Sequence, residues 1–108
     1  MISAKIIAVD FDGTLCEDRW PEIGEPKQEV IDYVKSEQEN GAKIILWTNR
    51  AGWNLTYAVA WCYGHGLIFD AVNENLPEVL DLFGGGDSRK ITADEYIDDR
   101  MCTKFKFK

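Results

Sequence analysis

The sequence predicts an α/β fold, a small parallel sheet flanked by helices, in a single domain over residues 1–108. Three observations carry the prediction. The run Ile6-Ile7-Ala8-Val9 is apolar at every position, as in a central strand of a parallel sheet covered on both faces. A helical stretch and a second apolar run follow it, at the spacing of a strand–helix–strand unit, which makes the two strands parallel. A second helix and further short strand-like runs then repeat the alternation.

The first strand ends in Asp10-Phe11-Asp12-Gly13-Thr14, two carboxylates at i and i+2 followed by Gly and Thr. Open α/β sheets bind ligands outside the C-terminal ends of their strands. Two acids at such an edge repel each other unless a cation or a shared proton intervenes. An EF-hand loop also opens Asp-x-Asp, but it needs Gly at its sixth position and Glu at its twelfth. Leu15 and Pro21 stand there. A phosphate-binding glycine loop would need Lys-Ser/Thr after clustered glycines, and that pattern is absent.

Residues 13–25 show no clean period and read as a loop or short flap. Pro26 suits the first turn of a helix and Gly41 the position just past its end. Between them Val30, Ile31 and Val34 form an apolar stripe, while Lys27, Glu29, Lys35, Glu37 and Glu39 face water. Residues 42–47 form the second strand, which ends in Thr48-Asn49-Arg50 and so brings Thr48 out at the same edge as Asp10. Residues 53–63 read as a helix closed by Gly64, with Leu55, Ala58, Val59 and Cys62 on its core face.

Leu67-Ile68-Phe69, just before Asp70-Ala71-Val72, reads as a third strand. His65 is the sole histidine; between two glycines it fits a surface turn better than a catalytic base. Pro77 starts a short helix over residues 77–83 with Asn75 as its cap. Gly84-Gly85-Gly86 stops that helix as a flexible loop rather than a phosphate cradle. Glu95-Tyr96-Ile97 forms the last strand and ends in Asp98-Asp99. The tail Lys104-Phe105-Lys106-Phe107-Lys108 alternates strictly. It fits an edge strand with aggregation-resistant lysines or, equally, a frayed end.

Bulk properties narrow the function classes. With 108 residues, 45% of them hydrophobic, the chain supports one core but not two. A formal charge of −7 argues against broad nucleic-acid binding, which relies on Lys and Arg. No apolar run approaches a membrane span, and the N-terminus lacks a signal pattern, so a cytoplasmic protein is expected. Cys16, Cys62 and Cys102 are odd in number and widely spaced, which reads as buried or partly buried free thiols in a reducing compartment.

Three strand ends therefore deliver polar groups to one edge: Asp10 and Asp12, then Thr48-Asn49-Arg50, then Asp98-Asp99. The set resembles, in order and placement, motifs I, II and IV of the haloacid dehalogenase-like (HAD) phosphohydrolases, with Lys90 where that family carries its motif III lysine. The stretches 69–75 and 93–100 look closer still to a small group of HAD-type hydrolases from bacteria and phages. The resemblance implies a three-layer, Rossmann-like core and a Mg²⁺-dependent phosphomonoester hydrolase that works through an aspartyl-phosphate. Asp10 would be the nucleophile, and Asp12 the acid and then the base. Asp10, the backbone carbonyl of Asp12, and Asp98 would hold Mg²⁺, with Asp99 orienting that shell. Thr48 and the backbone at Asn49 would bind phosphoryl oxygens, and Lys90 would neutralise their charge. Lys90 lies only eight residues before Asp98, a short approach, so Arg89 and Arg50 are candidates to share or replace it.

Neither gap in this pattern has room for a cap domain. An open, capless site suits bulky phosphorylated substrates, or closure by a neighbouring subunit of a homo-oligomer. Trp20 and Trp53 are rim candidates for stacking on a substrate ring, although packing is the commoner use of Trp and the favoured one here. Two alternatives stand beside the hydrolase: a non-catalytic phosphate- or metal-binding module, and a phosphotransferase or phosphomutase on the same site.

Overall fold

The computed structural model describes residues 4–102 and residue 104. In chain order the elements are β1 (Ile6–Val9), β2 (Cys16–Arg19), β3 (Glu22–Pro26), α1 (Gln28–Glu39), β4 (Lys43–Leu46), α2 (Gly52–Gly64), β5 (Ala71–Val72), α3 (Pro77–Leu82) and β6 (Glu95–Ile97). The main sheet has the order β5-β4-β1-β6 and is parallel throughout. Strands β2 and β3 form a separate antiparallel hairpin. Among the described residues no helix is long and apolar enough to cross a membrane.

The continuous apolar run of β1 follows from its central place. Successive side chains point to opposite faces of a strand. Ile7 and Val9 pack with Ile31 and Val34 of α1 and with Ala58 and Cys62 of α2. Ile6 and Ala8 pack on the other face with Leu76, Val79 of α3, and Ile91. Each aliphatic side chain fully buried in this way contributes about 1.5–3 kcal/mol relative to exposure, so a polar residue on either face of β1 would be costly. The result is three layers, with helices on both sides of the sheet.

Register then positions the functional edge. Val9 pairs with Leu46 on one side and with Ile97 on the other. The ladder continues one step: Trp47 N–H donates to the Val9 carbonyl at 2.9 Å, and Asp10 N–H to the Ile97 carbonyl at 3.0 Å. Asp10, Trp47 and Asp98 leave the sheet at one level.

Four expectations need correction. The segment after Thr14 is not a loop but the β2–β3 hairpin, held where Gly24 packs so closely on Glu17 that a Cβ would overlap its carbonyl. Pro26 belongs to β3, paired with Cys16, and α1 begins only at Gln28. The third strand is not 67–69 but Ala71–Val72. Leu67 N–H donates to the Cys62 carbonyl at 3.0 Å and finishes α2, while Ile68 is 60% exposed. Pairing starts only once Asp70 has engaged Ile44, N–H to carbonyl at 2.8 Å and carboxylate to N–H at 2.8 Å. Asn75 does not cap α3, whose N-cap is Leu76 without a side-chain bond. Instead its amide donates to Asp87 Oδ1 and the Lys90 carbonyl, and accepts from Thr92 N–H at 2.7 Å.

The tail proposed as an edge strand lies, apart from Lys104, outside the described residues. Cys16 and Cys62 are free and buried as expected, whereas Cys102 is free and exposed.

Candidate active site

Two strand ends bring three carboxylates together. One oxygen each from Asp10, at the end of β1, and from Asp98 and Asp99, after β6, lies within 4.8 Å of the others. Thr14 braces this group from behind. Its buried hydroxyl oxygen accepts from Asp99 N–H at 3.0 Å and lies 3.3 Å from Asp99 Oδ1 and 3.4 Å from Asp10 Oδ2. A hydroxyl carries one proton, so it donates to one carboxylate at a time.

Gly13 makes the approach of Asp99 feasible. It adopts φ 85°, and a Cβ there would overlap the Asp99 carboxylate. Only glycine meets both demands without strain. Burial pushes the Asp10 carboxyl up to about 6 from its ordinary 3.8; the Phe11 N–H opposes this, and the charges of Asp98, Asp99 and Asp12 add to it. The expected mutual repulsion of the acids is present, but burial is the larger cause.

The Asp12 side chain does not join the cluster. Both its oxygens accept from Arg50, from Nε at 2.8 Å and from Nη2 at 2.8 Å. Arg50 is 2% exposed. Its remaining donors reach the Pro21 and Glu22 carbonyls of the hairpin, each at 3.1 Å, and the Asn54 carbonyl of α2 at 3.4 Å. A guanidinium has five N–H donors, and all five are taken. The guanidinium also lies over the Phe11 and Trp20 rings, with Cζ 5.1 and 4.9 Å from their centroids. Arg50 is thus the joint between the first strand end, the hairpin and α2, and it has no donor left for a substrate.

Thr48 and Asn49 line the same cleft as Asp10, Asp12 and Asp98, a space of about 540 Å³. Thr48 N–H donates to Asn73 Oδ1 at 2.8 Å, and its hydroxyl oxygen accepts from Arg50 N–H at 3.2 Å, leaving the hydroxyl proton available. Asn73 sits at φ 55°, a conformation Asn tolerates better than most residues. Its own N–H donates to the Leu46 carbonyl at 2.8 Å, so it clamps the loop that presents Thr48.

Lys90 is not among the residues that line the cleft. It is exposed, and its carbonyl is held by Asn75 and Ser88. Asn75 gathers residues 87–92 around its amide, and Ile91 is buried against the second face of the sheet. The positive charge at the cleft comes instead from Arg100, with Arg50 committed to Asp12. Sequence reasoning missed four contributors: Arg100, Trp47, Asn73 and the Asp12–Arg50 pairing. Only the adjacency of Arg100 to Asp98-Asp99 and of Trp47 to Thr48 gave any signal. Trp20 and Trp53, expected to pack rather than to form the rim, are both exposed, at 55% and 75%; Trp20 lines the cleft, whereas Trp53 does not and stacks on Tyr57 along α2 at 6.4 Å.

A solved structure of a conserved protein from Bacteroides thetaiotaomicron is similar to this chain, with a TM-score of 0.80 and 43% identity over 92% of this chain and 78% of that one. No family model and no curated protein matches the sequence.

Proposed function

The chain belongs to the same family as this conserved Bacteroides thetaiotaomicron protein, and we propose from its cleft that it is a Mg²⁺-dependent phosphomonoester hydrolase of the HAD type. The observation that carries the reading is the meeting of Asp10 with Asp98 and Asp99 at the sheet edge, beside Thr48. The cleft lining holds four carboxylates against two guanidinium groups, one of them already committed to Asp12. A phosphate dianion would be repelled from such a surface without a cation. Three converging carboxylates are the hard oxygen donors that suit Mg²⁺, which keeps the rest of its shell as water. Asp10, Asp98 and Asp99 would hold the ion, whose chemistry is to neutralise charge on the phosphoryl oxygens.

The chain's own groups account for the remaining work. Asp10 Oδ attacks phosphorus as the ester P–O bond breaks, which leaves an aspartyl-phosphate and a departing alkoxide. Asp12 protonates that oxygen, then removes a proton from the water that attacks phosphorus and frees Asp10 with inorganic phosphate. The Thr48 hydroxyl and the Asn49 backbone bind phosphoryl oxygens, and Arg100 supplies the cation assigned earlier to Lys90. To carry a proton, Asp12 must release at least one oxygen from Arg50.

That pairing is also the observation that favours a second reading, a phosphate- or metal-binding module without turnover. A panel of phosphomonoesters, assayed with Mg²⁺ and with chelator, separates the two. Turnover that requires Mg²⁺ and is lost in Asp10→Asn is the expected result. Binding of phosphate esters without hydrolysis across the panel would leave the module.

A further inference from the structure

Trp20 stands in the turn between β2 and β3, where a solvated turn residue would serve as well. It is 55% exposed and lines the cleft. One face of its ring is taken by the Arg50 guanidinium, 4.9 Å from the centroid. That guanidinium is itself immobile, with five hydrogen bonds and the Phe11 ring beneath it. The three groups make a stack that starts in the core at Phe11, passes through Arg50 and ends at Trp20. With Arg50 over one face, the indole is still 55% exposed and borders the cleft.

An aromatic face held this way is preorganised. Its orientation is fixed before any ligand arrives, so binding loses little rotamer entropy there. Trp47, half-exposed and leaning on Tyr96 at 5.8 Å, gives the same cleft a second aromatic surface beside the acids. A cleft of about 540 Å³ falls within the range that holds a nucleotide-sized ligand. The acid cluster, by contrast, needs only the phosphoryl end of a substrate.

From this stack we infer that the cleft selects phosphate monoesters carrying a planar ring, of the nucleoside monophosphate class, and that the ring stacks on the outer face of Trp20. The inference rests on the phosphohydrolase reading for the phosphoryl end and on the Phe11–Arg50–Trp20 stack for the other. Base–aromatic stacking is worth about 1–3 kcal/mol by truncation, which corresponds to roughly a five- to 150-fold change in affinity.

The test pairs adenosine monophosphate with ribose phosphate, which has the same primary ester without the base. Each is measured by calorimetric binding and by hydrolysis at fixed Mg²⁺, with wild-type protein and with Trp20→Leu. The expected result is tighter binding and lower KM for the nucleotide in the wild type, with that preference falling about tenfold or more in Trp20→Leu. Trp20→Phe, which keeps a ring, should restore part of it. Hydrolysis of both esters without preference overturns the inference and leaves the hydrolase reading standing. Trp20-dependent binding of the nucleotide without hydrolysis of either ester supports the stacking site and overturns the hydrolase. Equal affinity of wild type and Trp20→Leu for the nucleotide overturns the inference however the hydrolysis turns out.

Discussion

Arg50 grips Asp12 through two parallel hydrogen bonds of 2.8 Å while both residues are largely shielded from solvent. Bidentate geometry of this kind is among the stronger polar contacts in proteins. It fixes where Asp12 points and ties the hairpin to the sheet edge through the Pro21 and Glu22 carbonyls. Removing the guanidinium leaves a partly buried carboxylate without its partner and takes a donor from the Pro21, Glu22 and Asn54 carbonyls. Arg50→Ala should therefore cost about 3–5 kcal/mol, the range for breaking a buried pair from one side. Arg50→Lys should recover only part of this, since an ammonium cannot fork onto both oxygens. Urea denaturation midpoints at constant slope measure both.

Gly13→Ala should lose the acid cluster before it loses the fold. The added methyl meets the Asp99 carboxylate, and φ 85° disfavours any L side chain. We expect a stability loss of about 1–3 kcal/mol from the strained backbone. Stabilisation of the variant by Mg²⁺ should be largely abolished. Thermal melts with and without Mg²⁺ read both effects together.

The raised pKa of Asp10 makes a signed prediction for the metal-free protein. Between its ordinary value of 3.8 and about 6, the folded state binds more protons at this site than the unfolded state. Stability from this group is therefore greatest at low pH and falls as pH rises through that window. The stability–pH curve of Asp10→Asn should lack this fall, seen as a difference from wild type between about pH 4 and 6. Saturating Mg²⁺ should offset the fall in the wild type, since the cation favours the ionised carboxylate.

Asp70 and Asp94 form matched supports at the start of two central strands. Asp94 accepts from Ile6 N–H at 2.8 Å, and Asp70 from Ile44 N–H at 2.8 Å. Each also engages the same residue's carbonyl through its own N–H. Asp94→Ala should cost about 1–3 kcal/mol, because the Ile6 N–H is left without its partner. KM for the proposed phosphomonoester hydrolysis should be unmoved, since neither residue lines the cleft. Denaturation and steady-state kinetics on the same variant check the two halves.

The sheet and the acid edge were legible because they rest on local patterns. An apolar run needs only its own residues to declare a buried strand, and the helix spacing between β1 and β4 settles their pairing. Asp10 and Asp98 could be placed at one edge from that topology alone. What the sequence could not convey are contacts that depend on side-chain reach across the fold. Nothing near Asp12 announces that Arg50 will close on it, and nothing near Asn75 tells whether its amide caps a helix or gathers residues 87–92. The hairpin was hidden because β2 is exposed at three of its four residues, so the apolar alternation that marks a half-buried strand is absent. Lys90 was placed by its order along the chain, and order does not fix which way a side chain leaves a turn.

A covalent bond from Asp10 to phosphorus is the step on which the proposed hydrolysis turns. An acid quench during steady turnover of a phosphomonoester with Mg²⁺, followed by peptide mass mapping, reads that bond. We predict a single phosphoryl group on the peptide bearing Asp10, absent in Asp10→Asn and discharged on transfer to mild base. Sustained turnover with Asp10 unmodified, or a phosphoryl group on another residue, would contradict the account.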